Sequence, residues 1–414
     1  MNKSILTEDW TVVLLGFIII ILSLSGILLS TPEFSWATAE DLTGKVLSGT
    51  NLLNILIQLV YVLAIAVIGA GLTGKSVVGV LKVFPVVYLL TIVALVIAGS
   101  SQAKALNLEA VIFSLIIGLL IGNLFKLPQW FREALASEFY VKVGLVLLGT
   151  SIIFSDILKA GSLGLIQALM VVVSVWYFSY WVCKKLKIDS ELTMMLSSAV
   201  SICGVSAAIA TSGAIKGDSK KLSLVISLVL ITAVPMMVFM PYLAKVMGLS
   251  QEVTGAWLGG SIDTTGAVVA SGSLVGETAL KISSIVKFSQ NVLLGIAAFA
   301  ISVYWTYTKH PSAADGESKP TLKVIWERFP KFVIGFIAAS LLFSFVISPE
   351  LATAVKAPLK NLQGFWFALA FTSIGLETNF RDLLHRDSKK PIYAFLIAQS
   401  FNVVITLVIA YLLF

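Results

Sequence analysis

Apolar runs of roughly twenty residues follow one another along nearly the whole chain, broken only by short polar stretches, as helices crossing a hydrocarbon layer require. Thirteen segments can be marked, at about 10–30, 52–72, 77–99, 107–125, 139–155, 162–182, 192–214, 221–247, 253–273, 279–305, 329–347, 363–379 and 391–414. The pattern predicts an all-α, polytopic membrane protein. The longest polar stretch, 309–331, reads as a loop joining two halves. One Lys and two acids precede the first run and no small-residue cleavage site follows it, so it reads as a retained helix rather than a signal peptide.

Two segments break the pattern from inside. "LSSAVSICGVSAAIATSG" (196–213) and "LGGSIDTTGAVVASG" (258–272) put Ser, Thr, Gly and Ala where lipid-facing helices carry Leu or Ile. Gly204, Gly259, Gly260 and Gly266 can interrupt a helix, and interrupted backbone at membrane depth survives only when buried in protein or lining a cavity. Such residues also serve tight helix packing, which is their commoner use. Asp263 tips the balance. A carboxylate at that depth costs on the order of 3 kcal/mol and marks a pathway, a relay or a pair.

Composition narrows the reading. Of 414 residues 58% are hydrophobic and 12% charged, well under the roughly 25% charged of soluble domains. No stretch is long and polar enough for a soluble domain. The net charge of +7 is spread over short loops, so nucleic acid is not an expected partner. Cys183 and Cys203 lack metal-ligand spacing, while His310 and His385 lie in polar loops. No HExxH, Gly-x-Ser-x-Gly or phosphate-binding Gly-x-x-x-x-Gly-Lys occurs, so neither an intramembrane enzyme nor an ATP-driven pump is expected, and no cofactor.

Loop charge orients the chain. An inside N-terminus places the basic loops 73–82, 183–191, 306–331 and 381–390 inside and the acidic loop 31–50 outside. Loop 348–360, with Lys356 and Lys360, is a mild offender outside. If all thirteen segments cross, loop 215–221 falls outside with Lys216, Lys220 and Lys221, against the rule. If 192–214 and 253–273 instead re-enter, that loop moves inside and about eleven full crossings remain.

Internal repeats favour the re-entrant arrangement. "GTSIIFSDIL" (149–158) resembles "GLETNFRDLL" (375–384), and "SGAIKGDS" (212–219) resembles "SGSLVGET" (271–278). Both pairs become inverted if the two segments enter from opposite faces, a signature of secondary transporters. The chain then divides into a two-helix N-terminal addition, 1–76, and a transporter domain, 77–414, with inverted repeats over about 107–247 and 253–414.

The candidate solute-binding residues are Ser201, Cys203, Gly204 and Ser206 from the first stretch, with Ser261, Asp263, Thr264, Thr265 and Gly266 from the second. Half-helix N-termini there offer free N–H groups to an anion, and the hydroxyls of Ser201, Ser206, Thr264 and Thr265 add donors. Lys287, about ten residues into its segment, completes the set, either by pairing with Asp263 or by attracting an anion. Glu377 belongs to a site or ends its helix at the interface; both readings stand.

The stretches "VSICGVSAAIATSGAIKGDSKK" and "WLGGSIDTTGAVVASGSLVGETALKISSIVKFSQN", with "VIFSLIIGLLIGNLFKLP" and "KVGLVLLGTSIIFSDIL", resemble the YeiH-like sulfate exporter family of bacterial membrane proteins. The resemblance covers about 77–414 and implies an inner-membrane carrier distantly akin to bile acid and arsenite carriers. Where many members have a His-Asp pair this chain has Asp263-Thr264, and it lacks their Arg near Gln290. The expected function is secondary transport of a small anion, sulfate or an organosulfonate, driven by protons or sodium, with export the direction the resemblance implies. A cation–proton antiporter using Asp263 is the competing reading, because "IGLE" at 374–377 is similar to such exchangers. Expected partners are the solute, its coupling ion, the lipid bilayer and a second copy of the chain in a homodimer.

Overall fold

The structure is a computed structural model that describes residues 4–105, 110–309, 323–378 and 389–414. His310, His385 and the repeat positions Phe380, Asp382 and Leu384 lie outside the described residues. The principal helices run α1 Glu8–Leu24, α2 Gly49–Leu72, α3 Val77–Ala98, α4 Ala110–Leu124, α5 Ser137–Gly149, α6 Phe154–Lys185, α7 Ser190–Ser201 and α8 Val205–Ile215. They continue as α9 Ser219–Val246, α10 Gln251–Ser261, α11 Thr265–Val275, α12 Glu277–Lys309, α13 Lys331–Leu341, α14 Pro349–Glu377 and α15 Lys389–Leu413. Among the described residues no strand occurs, and six helices there are long and apolar enough to cross a membrane: α2, α3, α6, α9, α12 and α15. The chain is a multi-pass all-α membrane protein.

Two segments depart from the hydropathy reading. Residues 349–360, expected in a loop, form the first half of α14. Val355, Leu359 and Leu362 are buried there while Lys356 and Lys360 stay exposed, an amphipathic alternation that averaging over a window hides. Likewise α6 begins at Phe154 rather than near residue 162.

The chain forms two units. The first comprises residues 1–155 and 331–379. Glycine sets its close approaches: Cβ atoms at Gly118 and Gly122 of α4 would stand 2.3 Å from Thr372 O and 2.8 Å from Leu376 O of α14. Without lipid-excluded hydrophobic gain, such backbone contact is what holds membrane helices together. The N-terminal helix is built in. Gly16 of α1 abuts Val146 of α5, and Lys142 of α5 reaches Glu8, Asp9 and Glu138 at 2.9, 3.0 and 3.4 Å.

The second unit comprises residues 156–330 and 380–414. It contains both small-residue stretches, and each is a helix broken in the middle. The first doubles back on itself, because Lys221, just past its end, bonds Asp189 and Glu191 at its start (2.7 and 3.1 Å). The second does the same: Ala279 N donates to Gln251 Oε1 at 3.4 Å, and that side chain lies against Gly276. Hairpin one (α7–α8) thus opens at the N-terminal end of α9. Hairpin two (α10–α11) opens at the C-terminal end of α9, since only residues 247–250 intervene. At 1.5 Å per residue the 28 residues of α9 span about 42 Å, and each 11- or 12-residue arm about 17 Å. The hairpins therefore open at opposite ends of α9 and reach one another halfway along it.

Much of the glycine in hairpin two serves packing. Cβ atoms at Gly255 and Gly259 would meet Ala279 O at 2.8 Å and Ser283 O at 2.6 Å of α12, and one at Gly272 would meet Ser283 Oγ at 2.5 Å. The spacing is the small-xxx-small contact of membrane helices.

Candidate functional site

Each hairpin turns at a tip of three residues, 202–204 and 262–264. Gly204 has φ +62° and ψ −110°, a conformation open to glycine and closed to nearly every L side chain. A Cβ there would also stand 2.6 Å from Val229 Cγ1 and 3.0 Å from Asp263 Cβ, so the tips touch. The second tip needs no glycine, because Ile262 and Thr264 are extended (φ −81° and −103°) and any residue can adopt that shape.

A broken helix leaves its last carbonyls without partners. Here four buried side chains from α12 and α15 supply donors. Lys287 Nζ bonds Ile202 O and Ile262 O, both at 2.9 Å. Gln290 Nε2 bonds Ser201 O at 2.9 Å and Gly260 O at 3.2 Å. Asn402 Nδ2 bonds Val200 O at 3.0 Å and Ser261 O at 3.2 Å, and Gln399 Nε2 adds a bond to Ser261 O at 2.9 Å. Three of the four side chains thus bridge one hairpin to the other. Thr406 donates to Asn402 Oδ1 at 2.9 Å and fixes which way that amide faces.

The two supporting helices run in opposite directions. α12 starts at the mouth of hairpin two. α15 is antiparallel to α10, because Val403 O accepts from Trp257 Nε1 while the earlier Gln399 bonds Ser261 O at the tip. Lys287 and Gln290 stand ten and thirteen residues past Glu277; Gln399 and Asn402 stand ten and thirteen past Lys389. That is about 15 and 20 Å along each helix, matching the half-length of α9.

The tips have two chemically different sides. Their carbonyl side is buried and clamped. Their other side carries the first turns of α8 and α11, where Ser206 is exposed and Thr264, Thr265 and Gly266 are half-buried. No side chain caps the start of α8, while Thr264 Oγ1 caps α11 by accepting from Ala267 N at 3.3 Å. Each of these helix starts carries the positive end of a half-helix dipole, and that of α8 keeps its first N–H groups free of side-chain caps.

The residues named from sequence converge but divide in role. Ser201 and Ser261 are buried, and their hydroxyls donate to Ser197 O (2.7 Å) and Trp257 O (2.6 Å) within their own helices. Ser201 therefore contributes its carbonyl, not the hydroxyl expected of it. Cys203 and Gly204 form the first tip and Ser206 its open face. Thr265 Oγ1 accepts from Asn291 Nδ2 at 3.3 Å. Asp263 is 2% exposed, and its Oδ2 has no hydrogen-bond partner. Lys287 is not ion-paired to it; its bonds run to Ile202 O, Ile262 O and Gln290 Oε1. Glu377 lies in the first unit, accepting from Ser137 Oγ at 2.6 Å at the start of α5. An open cavity of about 270 Å³ in that unit, lined by Lys75, Lys82, Trp130 and Glu133 among others, contains none of the residues named from sequence.

Gln290, Gln399 and Asn402 were not read from sequence as parts of the site. A signal existed: "KFSQ" (287–290) and "QSFN" (399–402) each put two polar side chains at i, i+3 inside an apolar helix.

A family model described as "Conserved hypothetical protein 698" matches residues 82–394, leaving α1 and α2 outside it. The chain is 44% identical over 324 residues to a UPF0324 membrane protein of Rhodopirellula baltica, covering 76% of this chain and 59% of that one. A UPF0324 membrane protein of Nitratidesulfovibrio vulgaris is 41% identical over 327 residues, covering 76% and 56%. The chain thus spans under two thirds of the length of these relatives. No solved structure matches it.

Proposed function

The chain belongs to the family described as Conserved hypothetical protein 698, YeiH-like bacterial multi-pass membrane proteins, and from that premise we propose that it is a secondary carrier for a small anion. The observation that carries the reading is the pair of hairpins that open at opposite ends of α9 and whose tips meet halfway along it. Broken helices related by an inverted repeat place a solute site at equal distance from both faces, as alternating access needs. The open side of the tips presents the N-termini of α8 and α11 with the hydroxyls of Ser206, Thr264 and Thr265, which suits an oxyanion such as sulfate or the sulfonate group of an organosulfonate. Asp263, buried with one oxygen unpartnered, is the group on which an ion gradient acts.

Counterflow in proteoliposomes tests this. Vesicles loaded with unlabelled sulfate or a short-chain sulfonate should accumulate the labelled anion, and chloride-loaded vesicles should not. No counterflow with any oxyanion of a panel would remove the anion reading. The buried Asp263 also fits a cation–proton exchanger. For that reading, a sodium or potassium pulse should dissipate a preset pH gradient without any oxyanion.

A further inference from the structure

Lys287 is 1% exposed, and its Nζ lies 2.9 Å from each of three acceptors: Ile202 O, Ile262 O and Gln290 Oε1. Carbonyl oxygens only accept. The Gln290 amide cannot be reversed, because its Nε2 already faces Ser201 O and Gly260 O. Three acceptors around one nitrogen require three N–H donors, which only the ammonium form has. A positive charge therefore sits where the C-terminal ends of two half-helices converge, and those ends carry partial negative charge. Asp263 and Cys203 stand on the two tips whose carbonyls it bonds, and Gln290 brings a neutral amide.

Unwound carbonyls of paired broken helices are the groups with which secondary carriers hold a coupling sodium ion. In this chain the ammonium already occupies that place. We propose that Lys287 is a tethered cation: it fills the monovalent-cation position between the hairpin tips, so the hairpins are held together without sodium. Removing the side chain should convert the position into a genuine sodium site. Lys287 is then a positioning residue, acting through the four half-helices it ties. Its consequence for transport, independence of the sodium gradient, rests on the carrier reading; the occupancy itself does not.

The test is thermal unfolding of the purified full-length protein in detergent, which needs no solute and so can fail or succeed apart from counterflow. The wild type should unfold at the same temperature in sodium chloride and in choline chloride. Lys287→Ala should unfold roughly 5 °C lower or more in choline chloride. It should regain most of that loss, saturably, in sodium chloride or in n-propylammonium chloride, which restores the four heavy atoms removed. Lys287→Met, which fills the space without charge, should stay destabilised in every salt. A saturable sodium-specific rise in the wild type would overturn the proposal, because the position would then be vacant. So would a Lys287→Met protein as stable as the wild type, or a Lys287→Ala protein indifferent to both cations. If Lys287→Ala does not fold, the wild-type and Met measurements still decide.

Discussion

The two hairpins occupy equivalent places in the second unit, yet they turn by different means. Hairpin one turns on a glycine at positive φ with an uncapped helix start. Hairpin two turns through extended residues, caps its second arm with Thr264 and places Asp263 in the bend. Their mouths differ as well. Lys221 closes the first with two ion pairs, whereas the neutral Gln251 closes the second. Shared architecture, the carbonyls clamped by Lys287, Gln290 and Asn402, thus carries unequal chemistry. Hairpin one supplies shape and hairpin two supplies charge.

The sharpest way to break this comparison is at the glycine. Gly204→Ala forces a side chain into a strained backbone region and against Val229 and Asp263, at a cost of about 3 kcal/mol or more. The expected outcome is loss of folded protein in fluorescence-detected size exclusion. Recovery at wild-type yield and melting temperature would mean the tips do not meet as described.

Charge in hairpin two is tested by Asp263→Asn, which keeps the shape. The variant should bind and exchange solute in counterflow while gradient-driven transport falls to background. Cys203→Ser, one tip over, should leave both intact. Gradient-driven transport by Asp263→Asn would show the carboxylate to be a structural part of the bend.

The shared clamp comes next. Asn402→Leu strips donors from Val200 O and Ser261 O, and each buried carbonyl left bare costs about 1–3 kcal/mol. Gln399 still serves Ser261 O, so the expected loss is nearer 2 kcal/mol, read as a lowered melting temperature. A change indistinguishable from wild type would argue that the tips are not tied through α15.

The smallest effect belongs to the mouth. Lys221→Ala should cost under about 1 kcal/mol, since these ion pairs are partly exposed. Partial burial works to raise the Asp189 carboxyl, but the Lys221 hydrogen bond and the Leu192 N–H outweigh it, holding it below the usual carboxylate range. A depressed carboxyl stabilises above its unfolded value, and the stabilisation is lost as pH falls through the folded one. The gap between wild type and Lys221→Ala should therefore be open at pH 7 and close below about pH 4. A gap that persists there would assign it to packing of the lysine stem.

Composition and hydropathy alone determined the membrane and most of the helices, though not the amphipathic first half of α14, because transfer of apolar surface is additive along a chain and needs no knowledge of partners. They also exposed the two irregular stretches: Ser, Gly and Asp263 at membrane depth are costly enough to show individually. Loop charge pointed to Lys216, Lys220 and Lys221 as an anomaly, and the structure binds Lys221 across the mouth of hairpin one, to Asp189 and Glu191. What sequence left open was the division of labour. Whether Gly259 packs or binds depends on Ser283 lying opposite, and whether Lys287 meets Asp263, a solute or a carbonyl depends on where the tips stop. Gln399 and Asn402 could not be assigned from sequence, because the acceptors Val200 O and Ser261 O are 202 and 141 residues from Asn402. Hydrogen bonds act over a few ångströms and take no account of chain separation, so only the tertiary structure could decide which donors each broken helix would find.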